Sequence, residues 1–166
     1  RLNEDFWGIK LPYSKLPAEF EPLEGTLPIK FYLASRRNPV QEVGILRRYV
    51  PTSQIGLSEA LYQDEMGGST AWDPHQFVNI WVADVGELSG FASSPGQVGE
   101  PFDGIVIAPD YFGNWQVTGA LGRTLTHEMG HYLGLKHIWG SSQACQIDDG
   151  IEDTPPQWGP NYGCPP

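Results

Sequence analysis

The sequence predicts an α+β domain, with a mixed twisted sheet backed by one amphipathic helix and followed by an irregular tail. Three observations lead there. Several β-branched and aromatic runs fall between residues 29 and 108. One stretch, from Leu121 to Tyr132, repeats apolar residues at three- and four-residue steps. After Ile138 the chain is rich in proline and loses periodicity. The order of strands, one strong helix and a loop-rich end is that of an α+β fold. One domain accommodates 166 residues and buries a sizeable core. The 20 glycines and 15 prolines imply long connections, below the content of a low-complexity chain.

Residues 1–28 are rich in proline and acidic groups and read as a surface lead-in, opening with the tail of a helix over Leu2–Phe6. Ile29–Ala34 has strand composition, with Asn38-Pro39 as punctuation beyond it. Leu46–Val50 is a weaker strand stopped by Pro51, and residues 51–75, with Gly67-Gly68-Ser69 and Asp73-Pro74, read as a long loop. Phe77–Ala83 is the best strand, Leu88–Ala92 a short extended piece, and Gly104–Ala108 a continuous apolar run suited to an inner strand. In the helix, Leu121, Leu125, Met129 and Tyr132 form the apolar stripe, and Gly134 is expected to supply the left-handed turn that ends it.

Charge narrows the partners. The formal net charge is −10, with no basic run or basic helix face, so neither nucleic acid nor an anionic membrane surface is an expected partner. No apolar run approaches the roughly 18 residues that span a bilayer. The first residue is Arg1 with no signal-like segment before it, and the chain is expected to be a mature or trimmed product. Cys145 and Cys164 lie in a Gly/Pro-rich tail, a setting that suits disulfides and an extracellular location better than a catalytic thiol pair.

The chemistry concentrates in HEMGHYLGLKH, residues 127–137, which holds three of the four histidines. On a helix of about 100° per residue, His127 and His131 project from one side, one turn apart, while Met129 faces elsewhere. Two imidazoles so placed chelate one ion, with Zn–N distances near 2.0–2.1 Å. Glu128 then flanks the metal without binding it, where a general base takes a proton from zinc-bound water. Zinc lowers the pKa of that water to about 7 and polarises the carbonyl under attack. His137 lies too far along a continued helix to join the others, but a turn at Gly134 brings it back. Three histidines leave the fourth zinc position open for water or substrate.

HEMGHYLGLKH matches the HExxHxxGxxH signature of the metzincin metallopeptidases. Gly122–Thr126 before it, Ile138–Gly140 after it, Asp148–Pro155 and Tyr162–Pro165 narrow the likeness, as do Asn79–Val82, Leu88–Ala92 and Asp103–Ile107 upstream. Together they resemble the pappalysin family, especially its cytophagalysin and ulilysin-like members, over nearly the whole chain. The resemblance implies a secreted zinc endopeptidase acting on proteins or peptides. His127, His131 and His137 would be its zinc ligands and Glu128 its catalytic base. Ser89, Gly90, Phe91 and Ala92 would form the edge strand that pairs with extended substrate. It further implies one catalytic domain over residues 1–166, its N-terminal subdomain reaching to about residue 134. The family's methionine-containing turn follows the zinc motif, whereas Met66 and Met129 both precede its end. The chain is therefore expected to be incomplete at both ends. The alternative class is an inactive zinc-stabilised binding module, a fragment lacking the C-terminal part of the site.

Asp148, Asp149, Glu152 and Asp153 crowd next to Thr154. Their carboxylates repel one another unless a cation or solvent screens them, and hard oxygen ligands suit calcium. The resemblance also suggests calcium at Asp148, Asp149, Glu152 and Thr154; the other reading is a solvated acidic turn. Several states stay open for the cysteines. They pair with each other, stay unpaired, or bond a C-terminal segment beyond Pro166 or a second chain; otherwise Cys145 occupies the open zinc position, which would leave Glu128 without a purpose. His75, beside Asp73-Pro74, reads as a loop residue.

Overall fold

The computed structural model describes residues 1–9, 18, 21–23, 25–37, 41–50, 55–113, 122–140 and 147–161. Leu121, Cys145 and Cys164 lie outside them.

Helix α1 spans Leu2–Phe6, and strands β1 (Ser35–Arg37) and β2 (Gln41–Val43) form an antiparallel pair with Arg36 opposite Glu42. Three short 3-10 turns, Ile55–Leu57, Glu59–Tyr62 and Asp64–Met66, occupy the stretch read as a loop. The central sheet consists of β3 (Ile80–Val82), β4 (Gly90–Ala92) and β5 (Ile105–Ile107), followed by helix α2 (Thr124–Tyr132). Strand order is β3-β5-β4. β3 runs parallel to β5 with Trp81 opposite Val106, and β4 runs antiparallel to β5 with Phe91 opposite Val106. The sheet is mixed, and the architecture is α+β.

β5 is the hub because each of its residues is buried. Alternation sends Ile105 and Ile107 to one face and Val106 to the other. On the Val106 side, Leu61, Trp81, Ala83, Val85 and Ala108 close a core, with the Tyr62 ring edge-on to Trp81 at 5.0 Å. On the opposite side Ile105 and Ile107 meet Met129 of α2, all three at most 1% exposed. Each such side chain contributes about 1.5–3 kcal/mol by leaving water. α2 is thereby fixed over β4 and β5.

α1 braces the start of α2. Thr126 Oγ1 donates to Asp5 Oδ2 at 2.6 Å, and the Arg123 guanidinium lies 3.4 Å from Asp5 Oδ1. The hydroxyl bond to a carboxylate that is 8% exposed is the stronger tie; the half-exposed guanidinium adds little.

Two predicted strands take another form. Ile29–Ala34 is not a strand, and neither is Leu46–Val50; the ladder residues lie instead at 35–37 and 41–43. Backbone groups of Ile29 and Phe31 are taken instead by side chains of α1 and of Trp7 just after it. Phe31 N donates to Asn3 Oδ1 at 2.7 Å, Asn3 Nδ2 donates to Phe31 O at 2.9 Å, and Trp7 Nε1 donates to Ile29 O at 2.8 Å. Asn3 thus fills the place of a neighbouring strand. The other strands are shorter than their apolar runs. Among the described residues, no helix is long and apolar enough to cross a membrane.

Candidate metal centre

α2 ends in a turn that its sequence dictates. Gly134 adopts φ +98°, Gly134 N donates to His131 O, and Leu135 N donates to Gly130 O, both at 2.9 Å. These two bonds satisfy carbonyls that a helix end leaves open, and the positive φ suits glycine. Leu135 folds back over Gly130, its Cδ1 3.7 Å from where a Cβ would stand there. The chain reverses here, so His137 returns to the helix face that carries His127 and His131.

The three Nε2 atoms converge. His131 Nε2 lies 3.1 Å from His127 Nε2 and 3.1 Å from His137 Nε2, and the last two are 3.2 Å apart. Nitrogens bound tetrahedrally to zinc at 2.0–2.1 Å stand about 3.3–3.4 Å apart, so this triangle has the required size. Among the described residues it is the one group of three or more His, Cys, Asp or Glu whose ligand atoms approach within 4.8 Å. Tautomer chemistry agrees. His131 Nδ1 is 2.8 Å from Leu135 O, a carbonyl that accepts only, so Nδ1 carries the proton and Nε2 offers its lone pair to the centre. The capping turn therefore also orients a ligand. The group fits a zinc site.

In the metal-free protein, burial first, then the charge of the neighbouring imidazoles, holds the His127 ring below the usual histidine range. Burial and His131 do the same to His137. Neutral rings are the metal-binding form. Glu128 is 5% exposed, and burial pushes its carboxyl up, partly countered by His131.

These residues line a cleft of about 690 Å³ walled on the other side by Ser89–Pro95. β4 is the edge of the sheet next to this space. The strand backbone comes so close to the helix that a Cβ at Gly90 would lie 3.3 Å from Glu128 Cγ and 2.7 Å from Val106 O. Ser89, Gly90, Phe91 and Ala92 are thus brought together with His127, Glu128, His131 and His137.

The acidic turn lies apart. Asp148 Oδ1 accepts from Gly150 N and Asp149 Oδ1 accepts from Ile151 N, at 2.9 and 3.0 Å. No three carboxylates of 148–153 converge as the imidazoles do. Thr154 Oγ1 is buried and has no hydrogen-bond partner among the described residues. His75 sits in an exposed turn, its N–H bonded to Asp73 Oδ1.

The peptidase M43 family model, described as pregnancy-associated plasma protein-A, matches residues 62–162. The chain belongs to this family. Its pappalysin fold is shared with solved structures. Mature mirolysin of Tannerella forsythia, in complex with a cleaved peptide, aligns with TM-score 0.84 and 36% identity, covering 99% of this chain and 64% of that one. Among sequence relatives, an extracellular metalloprotease of Arthroderma otae is 35% identical over 113 residues, 68% of this chain and 41% of that protein. One of Uncinocarpus reesii is 33% identical over 119 residues, 68% of this chain and 38% of that protein. The chain thus spans about two fifths of the length of these two relatives.

Sequence reasoning missed two features of this pappalysin site. Trp139 lies flat on His137, with ring centroids 4.4 Å apart and planes 12° apart. Asp103, 1% exposed, takes bonds from Ser93 Oγ at 3.2 Å and Gly99 N at 2.9 Å, and its charge, after burial, helps push the Tyr132 phenol up. It ties the cleft wall to α2. An aromatic two residues past the last motif histidine was the available signal for the first; an aspartate opening an apolar strand was the signal for the second.

Proposed function

We propose that this chain carries the active site of a secreted zinc endopeptidase that hydrolyses internal peptide bonds of proteins. One observation carries the reading: three imidazole nitrogens converge beside a buried glutamate, in a cleft walled by a strand whose outer edge is unpaired among the described residues. His127, His131 and His137 hold the metal. Zinc bound by three imidazoles supplies Lewis acidity, polarising a carbonyl and lowering the pKa of water to about 7.

The residues of the chain do the rest. β4 and Ser89 before it, residues 89–92, offer a substrate the backbone N–H and C=O groups that the sheet does not already use, which hold an extended chain as an added strand. Glu128 receives the proton of the attacking water on its carboxylate and passes it to the leaving amine. Burial raises its pKa above the ordinary carboxylate value, which suits a group that must take up and release a proton in one cycle. The relatives, extracellular metalloproteases and a mirolysin in complex with a cleaved peptide, support the location and the substrate class. At the acidic turn, Thr154 Oγ1, buried and without a hydrogen-bond partner among the described residues, supports a calcium ion that would satisfy it.

Cleavage of a quenched peptide by the chain and by Glu128→Gln, each with zinc measured by elemental analysis, tests the proposal. Glu128→Gln should lose about 10²–10⁴-fold in turnover while keeping its zinc. Zinc-loaded protein with no turnover in either form would support the alternative of an inactive zinc-stabilised binding module.

A further inference from the structure

The three imidazoles are held by different means. His127 and His131 are fixed by the helix, and His131 is also fixed at its second nitrogen by Leu135 O. His137 has neither support. It sits past the helix end, and among the described residues its ring nitrogens meet only the other two imidazoles. Its ring faces are covered instead. Trp139 stacks on it at 4.4 Å and 12°, and the His127 ring is stacked at 5.2 Å and 25°.

We infer that Trp139 is a positioning residue for the third metal ligand, fixing the plane of the His137 ring by stacking where a hydrogen bond serves His131. The inference rests on the proposed zinc site. The local backbone supports it. Gly140 N donates to His137 O at 2.7 Å, closing a turn that returns the indole over the imidazole two residues earlier. That turn is itself wedged in place. Gly140 has φ +72°, and a Cβ there would strike Ile147 O and lie 2.9 Å from Asp148 O. The indole is thus presented by a turn with little room to relax, and a flat apolar face against an imidazole restricts rotation of the ring about its bond to the chain. An unrestrained ligand must lose that freedom when metal binds, which weakens the site.

Trp139→Leu and Trp139→Phe separate stacking from space filling, since both fill the position but only phenylalanine keeps a flat face. Zinc affinity of the full chain would be measured by competition with a chromogenic chelator, and melting of the metal-free proteins would be followed in parallel. Trp158→Ala, at a tryptophan 66% exposed, serves as the control. Trp139→Leu should bind zinc about 10–100-fold more weakly, the range seen when a group that orients a ligand is removed. Trp139→Phe should restore most of that loss, with metal-free melting close to wild type in both. Wild-type affinity in Trp139→Leu would overturn the inference, and so would an equal loss in Trp139→Leu and Trp139→Phe. Failure of the wild-type chain to take up zinc would instead remove the metal site itself, and the role of Trp139 with it.

Discussion

Met129 offers a direct test of how the metal-bearing helix is held. It stands between Glu128 and Gly130, yet its side chain points to the opposite side, against Ile105 and Ile107, and is 1% exposed. Met129→Ala removes three heavy atoms from a fully buried position. At about 0.8 kcal/mol for each buried methylene-sized group, lost burial alone approaches 2.5 kcal/mol. A cavity that fails to collapse adds about 1–2 kcal/mol, giving a total within the 2–5 kcal/mol typical of Met→Ala in cores. For a chain of 166 residues each kcal/mol lowers the melting temperature by about 2–4 °C. Thermal unfolding followed by far-ultraviolet circular dichroism should therefore show a fall of about 7–18 °C in the metal-free protein. Met129→Leu, nearly equal in volume, should cost less than about 1.5 kcal/mol. A shift under about 2 °C for Met129→Ala would refute the claim that this contact docks α2 on the sheet.

Three further outcomes follow from the site. Gly90→Ala places a Cβ 2.7 Å from Val106 O, a backbone atom, so β4 must move relative to Glu128; kcat/KM should drop at least about tenfold with zinc content unchanged, and wild-type kcat/KM would count against the close fit. Zinc-free protein carrying Glu128→Gln isolates the histidines. Because folded His127 and His137 titrate below their unfolded value near 6.5, the unfolded chain binds more protons there, and stability is lost as pH falls from about 7 through the folded values. The melting temperature should decline over that interval, and a flat profile would contradict the partial desolvation of the imidazoles. Glu128 in the wild type acts with opposite sign, since its raised pKa favours the fold at low pH. A calcium-selective chelator should lower the melting temperature while zinc is retained; an unaltered curve would remove the acidic turn as a cation site.

The site was legible because its geometry is local. His127, Glu128 and His131 share a helix whose period fixes their directions, and Gly134 marks the reversal that returns His137. The sheet was less legible, because a strand exists only with a partner across from it. Ile29–Ala34 has strand composition, but Asn3 and Trp7 took its backbone groups. Three residues of Phe77–Ala83 entered the ladder because β5 supplies a partner only along Ile105–Ile107. The 3-10 turns over 55–66 lie in a stretch whose glycines read simply as loop. Trp139 was hidden because its value depends on the turn that Gly140 N closes on His137 O. Asp103 was hidden because its partners, Ser93 beyond β4 and Gly99 four residues before it, meet it only once the loop between β4 and β5 has folded.

β4 joins the rest of the sheet through β5 alone, so among the described residues its outer side is unclaimed. Polypeptide already bonded within a helix or an inner strand has nothing left to offer such a border. On the proposed reading, a target's vulnerability is decided first by which of its stretches are unravelled, and only afterwards by side-chain identity. Native proteins would be nicked at tails and loop tips. Loosening the target, with the enzyme untouched, would widen the set of scars.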